Sequence, residues 1–370
     1  MASLKTVVRS ALRSEYLLLI SLSTLGFALR FFPLLQFPRV GFDPFFHYEY
    51  SMALVQGKTS IDVVTQFKEH LTLYYPPLFH LLSLSFFLAF PTIDPYLIMK
   101  VLVSMLDTMQ ILPIYFIVRY LTKSNAGAAV AAFAAMIMPS NFNMISWGGY
   151  ANIAGLLLMA ILTYLVMTER ALAIGVTATV LFLTHHLSML FAVAVFLPFF
   201  LTDWWRTRTF PKCLLAFLGA GAVAYLAFYW YALIPLYTTY TTFGRHAQFT
   251  MPANWPQLFG YPLLAVAAAG IGLQILRART RFAKPDLLLY VWLLLPILLG
   301  YAYMFGIQWN TVRWIYFLQP LACIWVGRAT AHFGNRKLIV AVILLMFIIQ
   351  LFSTLQTYNA TIWANSGYSY

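Results

Sequence analysis

The sequence predicts an all-α, polytopic integral membrane protein, and three observations carry that reading. Of 370 residues, 62% are hydrophobic and only 9% are charged, a balance that makes the bilayer the natural solvent for most of the chain. Apolar runs of about 20 residues, the length a helix needs to cross, recur almost from end to end. Runs such as 338–351 do not alternate with period two, which sets aside the closed β-barrel, the other form able to span a membrane.

Taken in order, about eleven transmembrane helices are expected, at 15–36, 96–119, 124–140, 150–168, 171–185, 186–203, 213–236, 257–276, 286–306, 312–328 and 338–356. Lys5, Arg9 and Arg13 precede the first run, which continues to Gln36 without a small-residue cleavage site and so reads as an uncleaved signal anchor. The net charge is +13, and its distribution orients the chain. Arg119 and Lys123, then Arg170, then Arg206, Arg208 and Lys212 fall between alternate spans. So do Arg277, Arg279, Arg281 and Lys284, and after them Arg328, Arg336 and Lys337. Basic loops stay on the cytoplasmic side, so the N-terminus is expected inside and the C-terminus outside. No aromatic–basic platform suggests nucleic acid as the partner of this charge. Cys213 and Cys323 lie in apolar runs and form neither a disulfide framework nor a metal spacing. Residues 1–370 are expected to form one transmembrane domain with no separate soluble unit. Its first extracytoplasmic loop, 37–95, holds the run Leu78–Phe90 behind Tyr75-Pro76-Pro77. That run is too short to cross and reads as an interfacial or re-entrant helix.

The chain has ten carboxylates, and their placement narrows the search for chemistry. Asp43, Glu49, Asp62, Glu69 and Asp94 all lie in the first outside loop, whereas Glu15, Glu169, Asp203 and Asp286 mark inner helix ends. Asp43 stands in Gly41-Phe42-Asp43-Pro44-Phe45-Phe46-His47-Tyr48. Asp followed by Pro is a helix start, and a carboxylate held there at the water–membrane boundary can also act as general base or metal ligand. Asp107 falls inside the second span, where an ionised carboxylate costs about 2.5–3.5 kcal/mol on insertion, so an interhelical polar contact is expected of it. His47, His80, His185, His186 and His246 fall outside, and several on one face raise the alternative of a divalent metal. Arg313 opens the tenth span, either as an interfacial anchor or as a phosphate clamp. Arg245, in the acid-free outside loop 237–256, suits the same anion.

These residues carry a resemblance. The segment from Arg30 through Gly41–Tyr48 resembles the first acidic motif of the oligosaccharyltransferase catalytic subunits, members of the GT-C class of membrane glycosyltransferases. Tyr74-Tyr75-Pro76-Pro77 is similar to the family's Trp-Tyr-Pro stretch in the same loop. Ile111-Leu112-Pro113-Ile114-Tyr115 and Gly127-Ala128-Ala129 resemble its second and third helices. Met138-Pro139-Ser140 leads to Ser146-Trp147-Gly148-Gly149-Tyr150-Ala151-Asn152, which resembles its second outside motif. Arg313, ahead of Leu318-Gln319-Pro320, resembles the arginine that meets the lipid-linked phosphate. The clear similarity spans about 25–170.

The departures are specific. Ala151, Asn152 and Ile153 stand where the family has acids, the loop 237–256 lacks the family's Glu, and no Trp-Trp-Asp-Tyr-Gly motif or C-terminal soluble domain follows. Only Asp43 matches an outside carboxylate of the family. A divalent cation takes about six oxygen ligands, so Mg2+ or Mn2+ stays an open alternative, with Asp43, His185 and His186 as its candidate ligands. The pattern fits better a single Asp acting as base.

The resemblance thus implies a glycosyltransferase of the cell membrane with its active site on the extracytoplasmic face. It would move a sugar or oligosaccharide from a polyprenyl-phosphate-linked donor to a protein, lipid or glycan acceptor. Asp43 would be catalytic, and Arg313 and Arg245 would hold the donor phosphate. His47, Tyr75, His80, Trp147, Tyr150, Asn152, His185 and His186 would line the substrate pocket. Two other classes stay open at this point: a catalytically inactive donor-binding scaffold, and a lipid or solute transporter. The sequon Asn359-Ala360-Thr361 falls outside in this topology.

Overall fold

A computed structural model describes residues 4–41, 43–56, 60–62, 70–72, 75–234, 255–277, 283–305, 311–333 and 337–366. The fold is helical. Seven stretches among the described residues are long and apolar enough to cross a membrane: Ser14–Leu34, Pro95–Thr122, Asn125–Trp147, Tyr150–Met167, His186–Thr207, Lys212–Ile234 and Val340–Trp363. Shorter apolar helices stand between them, among them Leu78–Ala89, Ala171–Thr184 and Tyr261–Arg277. The protein is an integral membrane protein with this helical architecture.

In chain order the helices are α1 (Leu4–Leu34), α2 (Asp43–Val55), α3 (Leu78–Ala89), α4 (Pro95–Met109), α5 (Ile111–Thr122), α6 (Asn125–Ile137) and α7 (Pro139–Trp147). There follow α8 (Tyr150–Met167), α9 (Ala171–Thr184), α10 (His186–Thr207), α11 (Lys212–Ala224), α12 (Tyr261–Arg277), α13 (Lys284–Gly300), α14 (Thr311–Ile315), α15 (Gln319–Phe333) and α16 (Lys337–Ser366). Between α2 and α3, β1 (Ser60–Asp62) pairs antiparallel with β2 (His70–Thr72), Ile61 opposite Leu71. The helix expected at 78–90 is α3, which packs on α2, α4 and α9.

Three expected spans are broken, each at a proline. The segment 96–119 divides at Gln110 into α4 and α5, because Pro113 has no N–H for the Met109 carbonyl and its ring crowds that carbonyl. The segment 124–140 ends at Met138, held extended at φ −60, ψ 116 by the following Pro139. The segment 312–328 is resolved into α14, a 3₁₀ turn at Tyr316–Leu318, and α15 beginning just before Pro320. The three breaks converge in one buried polar chain. Ser140 donates to Gln319 Oε1 at 3.0 Å, Gln319 Nε2 to Gln110 Oε1 at 3.2 Å, and Gln110 Nε2 to Asp107 Oδ1 at 2.7 Å. Arg30, fully buried, closes the chain on the other Asp107 oxygen and also donates to the carbonyls of Gly26 and Met136 at 3.0 and 2.9 Å. The interhelical contact expected of Asp107 is therefore an ion pair with α1. Lys100, on the same helix face, donates to the Phe37 carbonyl instead.

Close backbone approach sets the packing of α6 on α15. A Cβ on Gly127 would lie 2.7 Å from the Gly327 carbonyl oxygen, and one on Gly327 would lie 2.7 Å from that of Gly127. Only small residues let two helices cross so tightly in a bilayer.

Charged side chains gather at the end of the bundle opposite Asp43. Arg119 meets Glu15, Lys284 reaches both Glu169 and Asp203 at 2.9 and 2.8 Å, and Arg328 pairs with Asp286 at 2.7 Å. Helix ends grouped by charge in the sequence thus meet in space. The last span was expected to stop near 356, but α16 runs on to Ser366, and Thr361 donates to the Thr357 carbonyl within it. The apolar character of this helix fades near Gln356, while its backbone hydrogen bonds carry the helix further.

Candidate active site

At the end opposite the ion pairs, the start of α2 is seated on the turn between α7 and α8. Gly148 makes this possible. Its φ of +96 is a left-handed value that a side chain resists, and a Cβ there would fall 2.3 Å from Pro44 Cδ and 2.9 Å from Asp43 Cβ. Gly41, at φ +84, lies as closely on the Trp147 backbone. These two turns place Asp43 beside Trp147. Replacing Gly148 with Ala should strain the turn and push the α2 start away. A stability loss of about 1–3 kcal/mol is expected, with any turnover falling about a hundredfold from misplacement of the carboxylate. Thermal unfolding and a turnover assay on Gly148→Ala check both.

Arg313 completes this corner. Its guanidinium lies 5.3 Å from the Trp147 ring centroid, and its charge acts on Asp43. Tyr316, one turn on, donates to Asn143 Oδ1 at 2.6 Å and so ties the Arg313 segment to α7. Asp43 is half-buried. Burial raises its carboxyl from 3.8 to about 6, against the opposing pull of Arg313.

One turn along α2, His47 enters a wall of imidazole and phenol rings. His47 Nε2 lies 3.2 Å from the Gly148 carbonyl oxygen and Nδ1 lies 2.9 Å from His80 Nε2. Burial, with Arg313 adding to it and the Gly148 bond opposing, pushes His47 down to about 3, so the ring is neutral at pH 7. A carbonyl only accepts, so His47 carries its proton on Nε2 and its Nδ1 accepts from His80 Nε2–H. Tyr150 stacks on His47 at 5.7 Å. Tyr75 touches His80, His185 and His186 with centroids at 5.5, 6.2 and 5.1 Å.

His185 has a local duty as well. Its Nδ1 accepts from the Ser188 backbone N–H at 3.2 Å, capping α10, and contacts Ser188 Oγ at 2.8 Å. Asn152, on α8, is buried, with Nδ2 on Met144 Sδ at 3.4 Å. Its Oδ1 has no hydrogen-bond partner among the described residues.

Asp43, His47, Tyr75, His80, Trp147, Tyr150, His185, His186 and Arg313 are therefore drawn to one region, while Asn152 follows along α8. Arg245 lies outside the described residues. Tyr50 was missed by sequence reasoning: its ring is 4.2 Å from that of His80 and its hydroxyl donates to the Tyr75 carbonyl at 2.6 Å. Its spacing of three residues from His47 on a helix would have placed both on one face. Tyr316 and Asn143 were missed too, and the three-residue step from Arg313 to Tyr316 was the available signal.

Among the described residues no three His, Cys, Asp or Glu side chains are grouped to hold a metal ion. Asp43 offers one carboxylate, and His185 commits Nδ1 to its helix cap.

No family model matches the chain, and no curated protein does. Solved structures share its fold. The oligosaccharyltransferase AglB of Archaeoglobus fulgidus, in complex with an inhibitory peptide and a dolichol-phosphate, superposes with a TM-score of 0.61 at 15% identity, over 96% of this chain and 56% of that one. The same enzyme in complex with Zn and sulfate gives 0.58 at 17%, over 95% and 53%. ArnT from Cupriavidus metallidurans, bound to undecaprenyl phosphate, gives 0.56 at 12%, over 94% and 75%. The chain spans about half the length of the oligosaccharyltransferase it matches. The protein thus shares the helical transmembrane fold of these solved structures, as the resemblance read from the sequence implied.

Proposed function

We propose that this chain, with the fold of the GT-C glycosyltransferases, transfers a sugar or oligosaccharide from a polyprenyl-phosphate-linked donor to an acceptor. The observation that carries the proposal is the meeting of one carboxylate, Asp43, and one guanidinium, Arg313, beside Trp147 and within electrostatic reach of each other. Glycosyl transfer needs both. Asp43 takes the proton of the acceptor nucleophile as the new bond forms to the anomeric carbon. The bond from that carbon to the phosphate oxygen breaks, and Arg313 stabilises the negative charge left on the phosphate. Trp147 and Tyr150 offer flat faces to a sugar, and Tyr75 with the four histidines forms the adjoining wall. Asn152 Oδ1 is a buried acceptor that a sugar hydroxyl would satisfy. Arg245 is the further candidate for the phosphate. The positive-inside charge pattern supports a mouth on the extracytoplasmic face and an ion-paired end in the cytoplasm, with residues 1–370 acting as one transmembrane domain.

The test is transfer by the purified protein in vesicles carrying a polyprenyl-phosphate sugar. Arg313→Gln should lower turnover about 10²–10³-fold. Arg313→Lys should recover only part of it, because the fork that spans two phosphate oxygens is lost. Unchanged turnover in Arg313→Gln, or lipid scrambling by the vesicles without sugar transfer, would reject the reading.

A further inference from the structure

A second site lies at the opposite end of the bundle, between α5 and α8. Phe116, Arg119, Tyr120 and Lys123 follow one another at steps of three, one and three residues and so form a single stripe along α5. With Tyr164 of α8 they line a cavity of about 400 Å3. Its contents are ordered by depth. The cations sit in the last turn and at the cap of α5, while Phe116 lies about 10 Å nearer the bundle centre than Lys123. The Phe116 and Tyr164 rings stand 6.0 Å apart there.

The electrostatics favour one negative charge. Arg119 bonds the Lys123 carbonyl at 3.0 Å and Glu15 at 3.4 Å, using two of its five N–H donors. Glu15 is also held by Asn125. Lys123 is exposed, and its ammonium lies 4.7 Å over the Tyr120 ring. Two cations against one carboxylate leave one positive charge, equal and opposite to a phosphodiester. A cationic rim at headgroup level above an aromatic floor at acyl level matches a phospholipid along its length.

We infer that this groove is a binding site for the headgroup of an anionic phospholipid, separate from the donor-binding end. Lys123 and Arg119 hold the phosphate, and Phe116, Tyr120 and Tyr164 flank the glycerol and upper acyl chains. Native mass spectrometry of the full chain, titrated with phosphatidylglycerol or phosphatidylcholine, tests it. The protein should bind phosphatidylglycerol preferentially. Lys123→Gln should weaken that binding about fivefold. Arg206→Gln, an exposed cation on α10, should leave it unchanged. Arg119→Lys, which keeps the charge, provides a milder second variant and should weaken binding less than Lys123→Gln. Equal losses in Lys123→Gln and Arg206→Gln would mean diffuse attraction and overturn the site. So would displacement of phosphatidylglycerol by equimolar inorganic phosphate, which would make this a site for the free anion.

Discussion

Asp43→Asn should abolish transfer, lowering turnover by about 10²–10⁴-fold, while leaving the protein folded. The amide keeps the shape of the carboxyl and its place on the Gly148 turn, so the loss isolates the proton acceptor. Stability gives the control, with an unusual sign. Burial raises the Asp43 pKa to about 6 from 3.8. The folded state therefore holds the Asp43 proton more tightly than the unfolded chain does. The resulting stabilisation is complete below about pH 4 and is lost as pH rises through 6. At pH 7.5 the ionised group is a burden, and Asp43→Asn should melt at the same temperature as the parent or higher. Turnover runs the other way with pH, since a base must be deprotonated, so the parent should lose activity below about pH 6. Arg313 favours the carboxylate. Its replacement by Gln should move this acid limb of the residual activity to higher pH. An Asp43→Asn protein that is folded and still turns over at the parent rate would remove Asp43 from the chemistry.

The fold was legible because the bilayer makes composition decisive: 20-residue apolar runs have few alternatives. The breaks within those runs were harder to read, although Pro113, Pro139 and Pro320 were in plain view. Each run stays apolar across its proline, so hydropathy passes through the break unchanged and only the backbone records the missing N–H. The site was legible in part for a similar reason. Asp43, His47 and Arg313 are polar groups set in apolar surroundings and attract notice singly. What joins them is conformational. The left-handed φ of Gly148 seats α2 against α7, and a glycine in sequence does not say which of its permitted conformations it adopts. Arg30 shows the same limit. It opened the stretch that resembles a known motif, yet its partner Asp107 is 77 residues away and is reached only through packing of α1 on α4.

Breaking the Arg30–Asp107 pair on one side should be among the costliest single changes to the bundle. Arg30→Met is expected to cost about 3–5 kcal/mol, because it leaves the Asp107 carboxylate buried without its charge partner, held only by neutral donors such as the Gln110 amide. Three carbonyls, those of Gly26, Ala135 and Met136, lose a donor at the same time. Met136 and Ala135 close the last turn of α6 just before Pro139, where carbonyls cannot find helical N–H partners. Arg30 thus caps a helix that proline has cut, and Asp107 balances its charge. The double variant Arg30→Met, Asp107→Leu removes the stranded charge and should recover much of the loss. It should still fall short of the parent, since the α6 carbonyls remain without their donor. A thermal-unfolding cycle in detergent on the two single variants and the double variant measures the coupling. Strictly additive losses would contradict the pairing, and an unchanged melting temperature in Arg30→Met would remove the capping role as well. The same strut has a consequence at the mouth. Asp107 continues through Gln110 and Gln319 to Ser140 on α7, and α7 ends at Trp147. Loosening Arg30 should therefore reduce transfer even in the fraction that stays folded.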